Sequence, residues 1–217
     1  MVRRFGAIGD VHAEDGRLRA ALSHLESAGV DALLCVGDIV DGRGDVDACC
    51  MLLAEHGVLS VRGNHERWML ADQMRDLPMA HRAGDLAPET RTYLGSLPAT
   101  RRLSTVAGPL LLCHGLGEDD MARLRPYDEG YALECIDALP PLRASDLALV
   151  VGGHTHQRMV RRLGALTIVN AGTLSSPAAA EAPCFLLADL DAGFVQFFDL
   201  DSDANVREAE RCVLARP

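Results

Sequence analysis

Five short apolar runs in this 217-residue chain end alike, with a glycine beside a residue able to bind a cation. The endings read "GDVH" at 9–12, "GDIVDG" at 37–42, "GNHE" at 63–66, "CHG" at 113–115 and "GGHTH" at 152–156. A short apolar run bounded by turn residues reads as a buried strand. Glycine lets the backbone bend sharply at the strand end and brings the next side chain close to a shared centre. The repetition therefore constrains the fold to one in which several strand carboxyl ends open on one crevice. That crevice is where α/β sheets bind their ligands.

The stretches between these runs agree. "GRLRAALSHLESAG" and "DVDACCMLLAEHG" repeat apolar residues at three- and four-residue intervals and end in glycine, which predicts two helices. The opening is then β-α-β-α-β, with parallel pairing and right-handed crossovers. From Glu66 to Leu97 the pattern turns mostly helical, with "RWMLADQM" and "APETRTYLGSL" as its better segments, and strands return near Leu103. The last third reads as strands, with "DLDAG" as a hairpin turn between "CFLLADL" and "FVQFFDL". A single domain over 1–217 is expected, with 66–96 and 117–146 as the segments that form the pocket walls.

Composition narrows the function classes. A formal net charge of −10 disfavours a long nucleic-acid partner, because binding by counterion release needs a basic surface. The N-terminus carries only a short apolar stretch broken by Gly6 and Gly9, so neither a secretory signal nor a membrane span is expected there. Seven irregularly spaced cysteines, several inside apolar runs, fit reduced thiols and a cytoplasmic location.

Each polar strand-end residue has an ordinary explanation when taken singly. Asp10 and Asp38 suit helix N-caps or Asx turns, Asn64 suits a left-handed turn position, and His114 suits a satisfied histidine near the core. His154 and His156 stand two apart, so on an extended strand both imidazoles face one side. What single explanations leave over is the recurrence, including five of the eight histidines at strand ends. Carboxylates, imidazoles and an amide oxygen form a donor set suited to Mn, Fe, Co, Ni, Zn or Mg. The donors are too many for one tetrahedral ion and suit two ions sharing a carboxylate, an arrangement that serves phosphoryl-group hydrolysis.

The ordered set "GDVH", "GDIVDG", "GNHE", "CHG" and "GGHTH" resembles the five-block signature of calcineurin-like metallophosphoesterases, over about Phe5 to Leu190. Within that superfamily the chain is similar to the small phosphodiesterase branch. The resemblance implies an α/β fold, a four-layer αββα sandwich with two mixed β-sheets. It implies that Asp10, His12 and His156 hold one divalent metal ion, that Asn64, His114 and His154 hold the other, and that Asp38 bridges them. Manganese is the favoured ion. His65 would sit beside the bound phosphate as a catalytic residue, protonating the leaving oxygen or donating a hydrogen bond to the transition state. The protein-phosphatase pattern "GDxVDRG" is not met, since Gly42 precedes Arg43, which argues against a phosphatase-type clamp by Arg43.

The expected reaction is in-line attack on phosphorus by a hydroxide held between two metals, on a small organic phosphate or nucleotide. A phosphomonoesterase, a dinucleoside polyphosphate hydrolase and a non-catalytic scaffold are the alternatives. Asp41 is a candidate for orienting His65 or another ligand imidazole through a hydrogen bond. Arg123, Arg125, Arg158, Arg161 and Arg162 are read mostly as solvated surface. Glu118, Asp119 and Asp120 would repel a bulky polyanion if they point inward, and Cys113 should face away from His114 on a regular strand. The partner is then a small phosphate ester, with no membrane, and the sequence is compatible with a homo-oligomer.

Overall fold

A computed structural model of the chain describes residues 1–175 and 182–214. The first half runs β1 (Arg4–Ile8), α1 (Asp15–Ser27), β2 (Ala32–Cys35), α2 (Val46–Glu55), β3 (Leu59–Ser60), α3 (Asn64–Leu70), α4 (Pro88–Ser96), β4 (Arg101–Thr105) and β5 (Gly108–Leu112). Then follow the short helices α5 (Tyr131–Glu134) and α6 (Leu139–Arg143), β6 (Leu149–Gly152), β7 (Met159–Leu163), β8 (Leu166–Asn170), β9 (Cys184–Asp189), β10 (Phe194–Leu200) and β11 (Val206–Val213).

The strands form two mixed sheets. One has the order β11-β10-β9-β1-β2-β3, the other β4-β5-β6-β8-β7. The β1-β2-β3 part is parallel, as the alternating strand and helix pattern requires, with Phe5 opposite Ala32 and Ile8 opposite Cys35. Antiparallel β9 closes on the other flank of β1, and its hairpin with β10 turns through the anticipated "DLDAG". In the second sheet β5, β6 and β8 run parallel between antiparallel β4 and β7.

Side-chain alternation builds the layers. Leu34 and Val36 point between the sheets with Phe5, Leu110, Val151 and Phe197, while Leu33 and Cys35 point outward under the helices with Leu22 and Leu53. In the second sheet Leu110 and Leu112 face inward, and Leu111 and Cys113 face a third apolar layer closed by Leu139 and Leu142 of α6. Strands buried on both faces read as continuous apolar runs. Three apolar layers between four layers of structure make the αββα sandwich.

The helices follow local rules. Leu18, Ala21, Leu22 and Leu25 put the buried stripe of α1 on one face. Asp45 caps α2 by accepting the Ala48 N–H at 2.9 Å. The region after α3 departs from the helical reading: the helix stops at Leu70, and only a 3₁₀ turn at Ala83–Asp85 precedes α4. Asp72 and Met74 adopt φ of +50° and +53°, which an α-helix cannot contain. Strands β7 and β11 carry little apolar signal, being edge strands rich in arginine and glutamate.

Candidate metal centre

Every candidate ligand sits just beyond a strand or on the first turn of a helix. Asp10 and His12 follow β1, Asp38 follows β2, Asn64 opens α3, His114 follows β5, and His154 and His156 follow β6. The carboxyl ends of both sheets thus meet at one crevice. The backbone there is bent hard: Asp10, His12, Asp38, His154 and His156 have φ of +33°, +46°, +50°, +66° and +59°. Such conformations cost energy in residues with a Cβ and persist where the surroundings over-determine them. This corrects the expectation for His154 and His156. They do not share a face by strand alternation, since β6 ends at Gly152, and their convergence comes from a left-handed loop instead.

The donor atoms fall into two groups that share Asp38. Asp10, His12, Asp38 and His156 form the first, and Asp38, His114 and His154 the second, with ligand atoms within 4.8 Å of one another in each. Asn64 joins the second, its Oδ1 lying 2.9 Å from His114 Nε2.

Hydrogen bonding decides which ring atoms face inward. His12 Nδ1 lies 2.9 Å from the Asp41 carbonyl oxygen and 3.1 Å from that of Val40, so it donates and leaves the Nε2 lone pair directed at the centre. That Nε2 faces His156 Nε2 at 3.2 Å. His114 Nδ1 likewise donates to the Val36 carbonyl at 2.9 Å, and its Nε2 faces Asp38 Oδ2 at 3.1 Å as well as Asn64 Oδ1. A proton on His114 Nε2 satisfies Asp38 and Asn64 when no cation is bound. The clustered carboxylate and imidazole donors, with the Asn64 amide oxygen beside them, form a set that fits divalent cations.

The electrostatics agree. Burial pushes the Asp10 carboxyl up, partly offset by His114. Burial acts the same way on Asp38, but the imidazoles of His114, His65 and His12 outweigh it and hold this carboxyl below its usual range. Burial, with help from His114 and His12 respectively, lowers His154 and His156 to about 4, so both rings are neutral at pH 7. On His114 burial is outweighed by Asp38 and Asp10, which push the ring up to about 10.

Around this centre stands a supporting set that sequence reading caught only in part. His65 Nδ1 lies 2.7 Å from Asp41 Oδ2, as anticipated, and His65 Nε2 is 3.9 Å from Asp38 Oδ2. Asp41 in turn accepts Arg75 Nη1 and Nη2 at 3.0 and 3.1 Å and the His81 N–H at 2.8 Å. Burial works against charge on His65, yet the Asp41 hydrogen bond and Asp38 raise its proton affinity. Glu66 is fully buried and accepts the N–H groups of Asp38, Ile39, Val40 and Gly63 at 2.6–3.0 Å. Its only sequence signal was its place as the last letter of "GNHE". Asn170 donates to the Gly153 carbonyl at 2.6 Å and Thr173 to that of Asp10 at 2.9 Å, and neither was singled out.

The glycines of the blocks have steric reasons. A Cβ at Gly42 would run into the His12 carbonyl oxygen, so this chain has no room there for the arginine of the phosphatase pattern. Arg43 instead lines a cavity of about 620 Å³ beside His12, His65 and His156.

Other arginines are engaged. Arg158 pairs with Asp199, Arg161 donates to the Arg125 carbonyl, Arg162 donates to that of Gly164, and Arg123 Nε donates to His154 Nε2 at 3.2 Å. Asp120 is neutralised by Arg67 and Glu118 accepts from Thr100, which tempers the acidic mouth. Cys113 is buried in the outer apolar layer, away from the ligands, and burial pushes its thiol up to about 12.

No helix among the described residues is long and apolar enough to cross a membrane. An uncharacterized protein of Methanocaldococcus jannaschii is 32% identical over 69 residues, 32% of this chain and only 28% of that protein's length. A metallophosphoesterase of Sphaerobacter thermophilus superposes with a TM-score of 0.68 at 24% identity, covering 91% of this chain and 87% of its own. A hypothetical protein of Pyrococcus horikoshii gives a TM-score of 0.73 at 17% identity, covering 90% and 87%. At these identities the superpositions show the fold. The calcineurin-like phosphoesterase superfamily domain matches residues 4–193, nearly the whole chain, and this protein belongs to that family.

Proposed function

We propose that the protein is a phosphodiesterase dependent on two divalent metal ions, acting on a small organic phosphate or nucleotide in the cytoplasm. The observation that carries this reading is the inward-facing acceptor set around Asp38, buried and bent into place at the cost of five left-handed residues. Asp10, His12 and His156 would hold one ion, Asn64, His114 and His154 the other, and Asp38 both. Bound there, the ions supply Lewis acidity toward a phosphoryl group and acidify water near neutral pH.

The chain's own residues do the rest. Val36, Val40 and Asp41 carbonyls fix the tautomers of His114 and His12, so that Nε2 is the liganding atom in both. Asp41 fixes His65 through Nδ1 and turns Nε2 toward the cavity, where it donates a proton to the departing alkoxide. The buried floor keeps the ligands from reorganising when charge develops on the phosphoryl oxygens.

The test is hydrolysis of bis-p-nitrophenyl phosphate and of p-nitrophenyl phosphate by metal-stripped protein, with Mn, Ni, Co, Zn and Mg restored separately. Metal-dependent hydrolysis favouring the diester, lost in Asp38→Asn, is the expected result. Silence with every ion, in protein that still takes up metal, contradicts it.

A further inference from the structure

The cavity beside His65 and His156 is lined by more than residues of the metal centre. Pro78, Met79, Glu14 and Arg43 line it as well. Met79 is 49% exposed and has φ of +60°, a conformation that costs energy in a residue with a Cβ.

The chain is held in this shape from both ends. The Arg75 side chain, only 4% exposed, forms its paired contacts with Asp41 and also donates to the His81 carbonyl at 2.6 Å, while the His81 N–H returns to Asp41. The loop 75–81 is thus clamped at both ends to the carboxylate that orients His65. An exposed thioether held in a costly backbone conformation by a buried ion pair adds nothing to the core. It is placed to touch something in the cavity.

The chemistry of the lining says what. The Glu14 carboxylate is met by Arg17 at 3.2 Å. Arg43 is exposed and makes no hydrogen bond or ion pair among the described residues, so its guanidinium face is available. A polarisable thioether packs against aromatic rings, and a guanidinium stacks on a planar ring. A volume of about 620 Å³ is well above what a phosphate needs and within the range of small-molecule sites. His65 lines the same cavity, so a group seated there lies on the side from which the leaving oxygen is protonated.

We propose that the part of this cavity lined by Pro78, Met79 and Arg43 is the leaving-group site, and that it takes an ester whose alcohol carries a flat, uncharged aromatic ring, with Met79 as a specificity-determining residue. This rests on the phosphodiesterase reading above.

The test uses phosphonates, in which no ester bond is broken. Binding of phenylphosphonate, cyclohexylphosphonate and methylphosphonate to the Mn-loaded full chain is measured by calorimetry, which separates flatness from size. Phenylphosphonate is expected to bind about tenfold more tightly than cyclohexylphosphonate. That advantage shrinks to about threefold or less in Met79→Ala and vanishes in Met79→Asp, with Mn content and melting temperature as in the wild type. Equal binding of the two rings in the wild type, or an advantage that survives Met79→Asp, overturns the proposal. Diester hydrolysis measured in parallel separates the two readings. Hydrolysis without a Met79-dependent ring preference removes the leaving-group site and keeps the phosphodiesterase. A Met79-dependent preference without hydrolysis keeps the aromatic site and removes the phosphodiesterase.

Discussion

Glu66 holds the backbone of Asp38: its carboxylate accepts the Asp38 N–H at 2.9 Å, and the same group takes the N–H groups of Ile39, Val40 and Gly63. One buried side chain thereby ties the turn after β2 to the start of α3, which carry Asp38 and Asn64. Glu66→Gln would keep the shape but set an amide donor against backbone donors. The expected cost is about 3 kcal/mol of stability, together with weaker metal binding, read from urea unfolding and from metal titration. Unchanged metal affinity in a folded Glu66→Gln protein would contradict this role.

Arg75 and Asp41 form a buried ion pair, with side-chain exposures of 4% and 2%. Removing one partner leaves an uncompensated buried charge, so Arg75→Met should lose about 3 kcal/mol. Because Asp41 also holds His65, kcat for the diester should fall, and Arg75→Lys should restore part of both. A stability loss with kcat unchanged would mean that the pair serves folding alone.

The metal-free protein should have a stability maximum near pH 6.5. His154 and His156 sit at about 4, below the unfolded value of about 6.5, so the unfolded chain binds more protons and stability falls as pH drops through that window. His114 is shifted the other way, to about 10; its contribution is complete below pH 6.5 and is lost as pH rises toward 10. Metal must displace the His114 proton, so metal binding at pH 7 should release protons. Calorimetric titrations in two buffers of different ionisation enthalpy would then differ, and identical apparent enthalpies would refute the assignment.

Much of this could be read from the chain because its signals are local. An apolar run, a glycine and a polar residue lie within a few positions of one another, and the parallel order of β1, β2 and β3 follows from the helices between them. The edge strands β7 and β11 were missed because "MVRRL" and "VREAERCV" carry charges where a buried strand carries aliphatic residues. "RWMLADQM" reads as a helix, yet the chain leaves the helix at Leu70 on its way to the Arg75 contact with Asp41, a partner 34 residues away that no local pattern announces. Glu66 and Asn170 were overlooked for the same reason, since their partners are mostly backbone groups distant in sequence. The convergence of His154 and His156 was anticipated by the wrong route, strand alternation in place of left-handed turns.

The central claim is that Asp38 joins two ions in one centre. The most direct measurement is a titration of the metal-stripped protein with Mn, followed by electron paramagnetic resonance and by metal analysis. Two Mn per chain are predicted, with an exchange-coupled spectrum that reverts to that of isolated ions in Asp38→Asn. A single Mn per chain with an isolated-ion spectrum in the wild type would contradict the account.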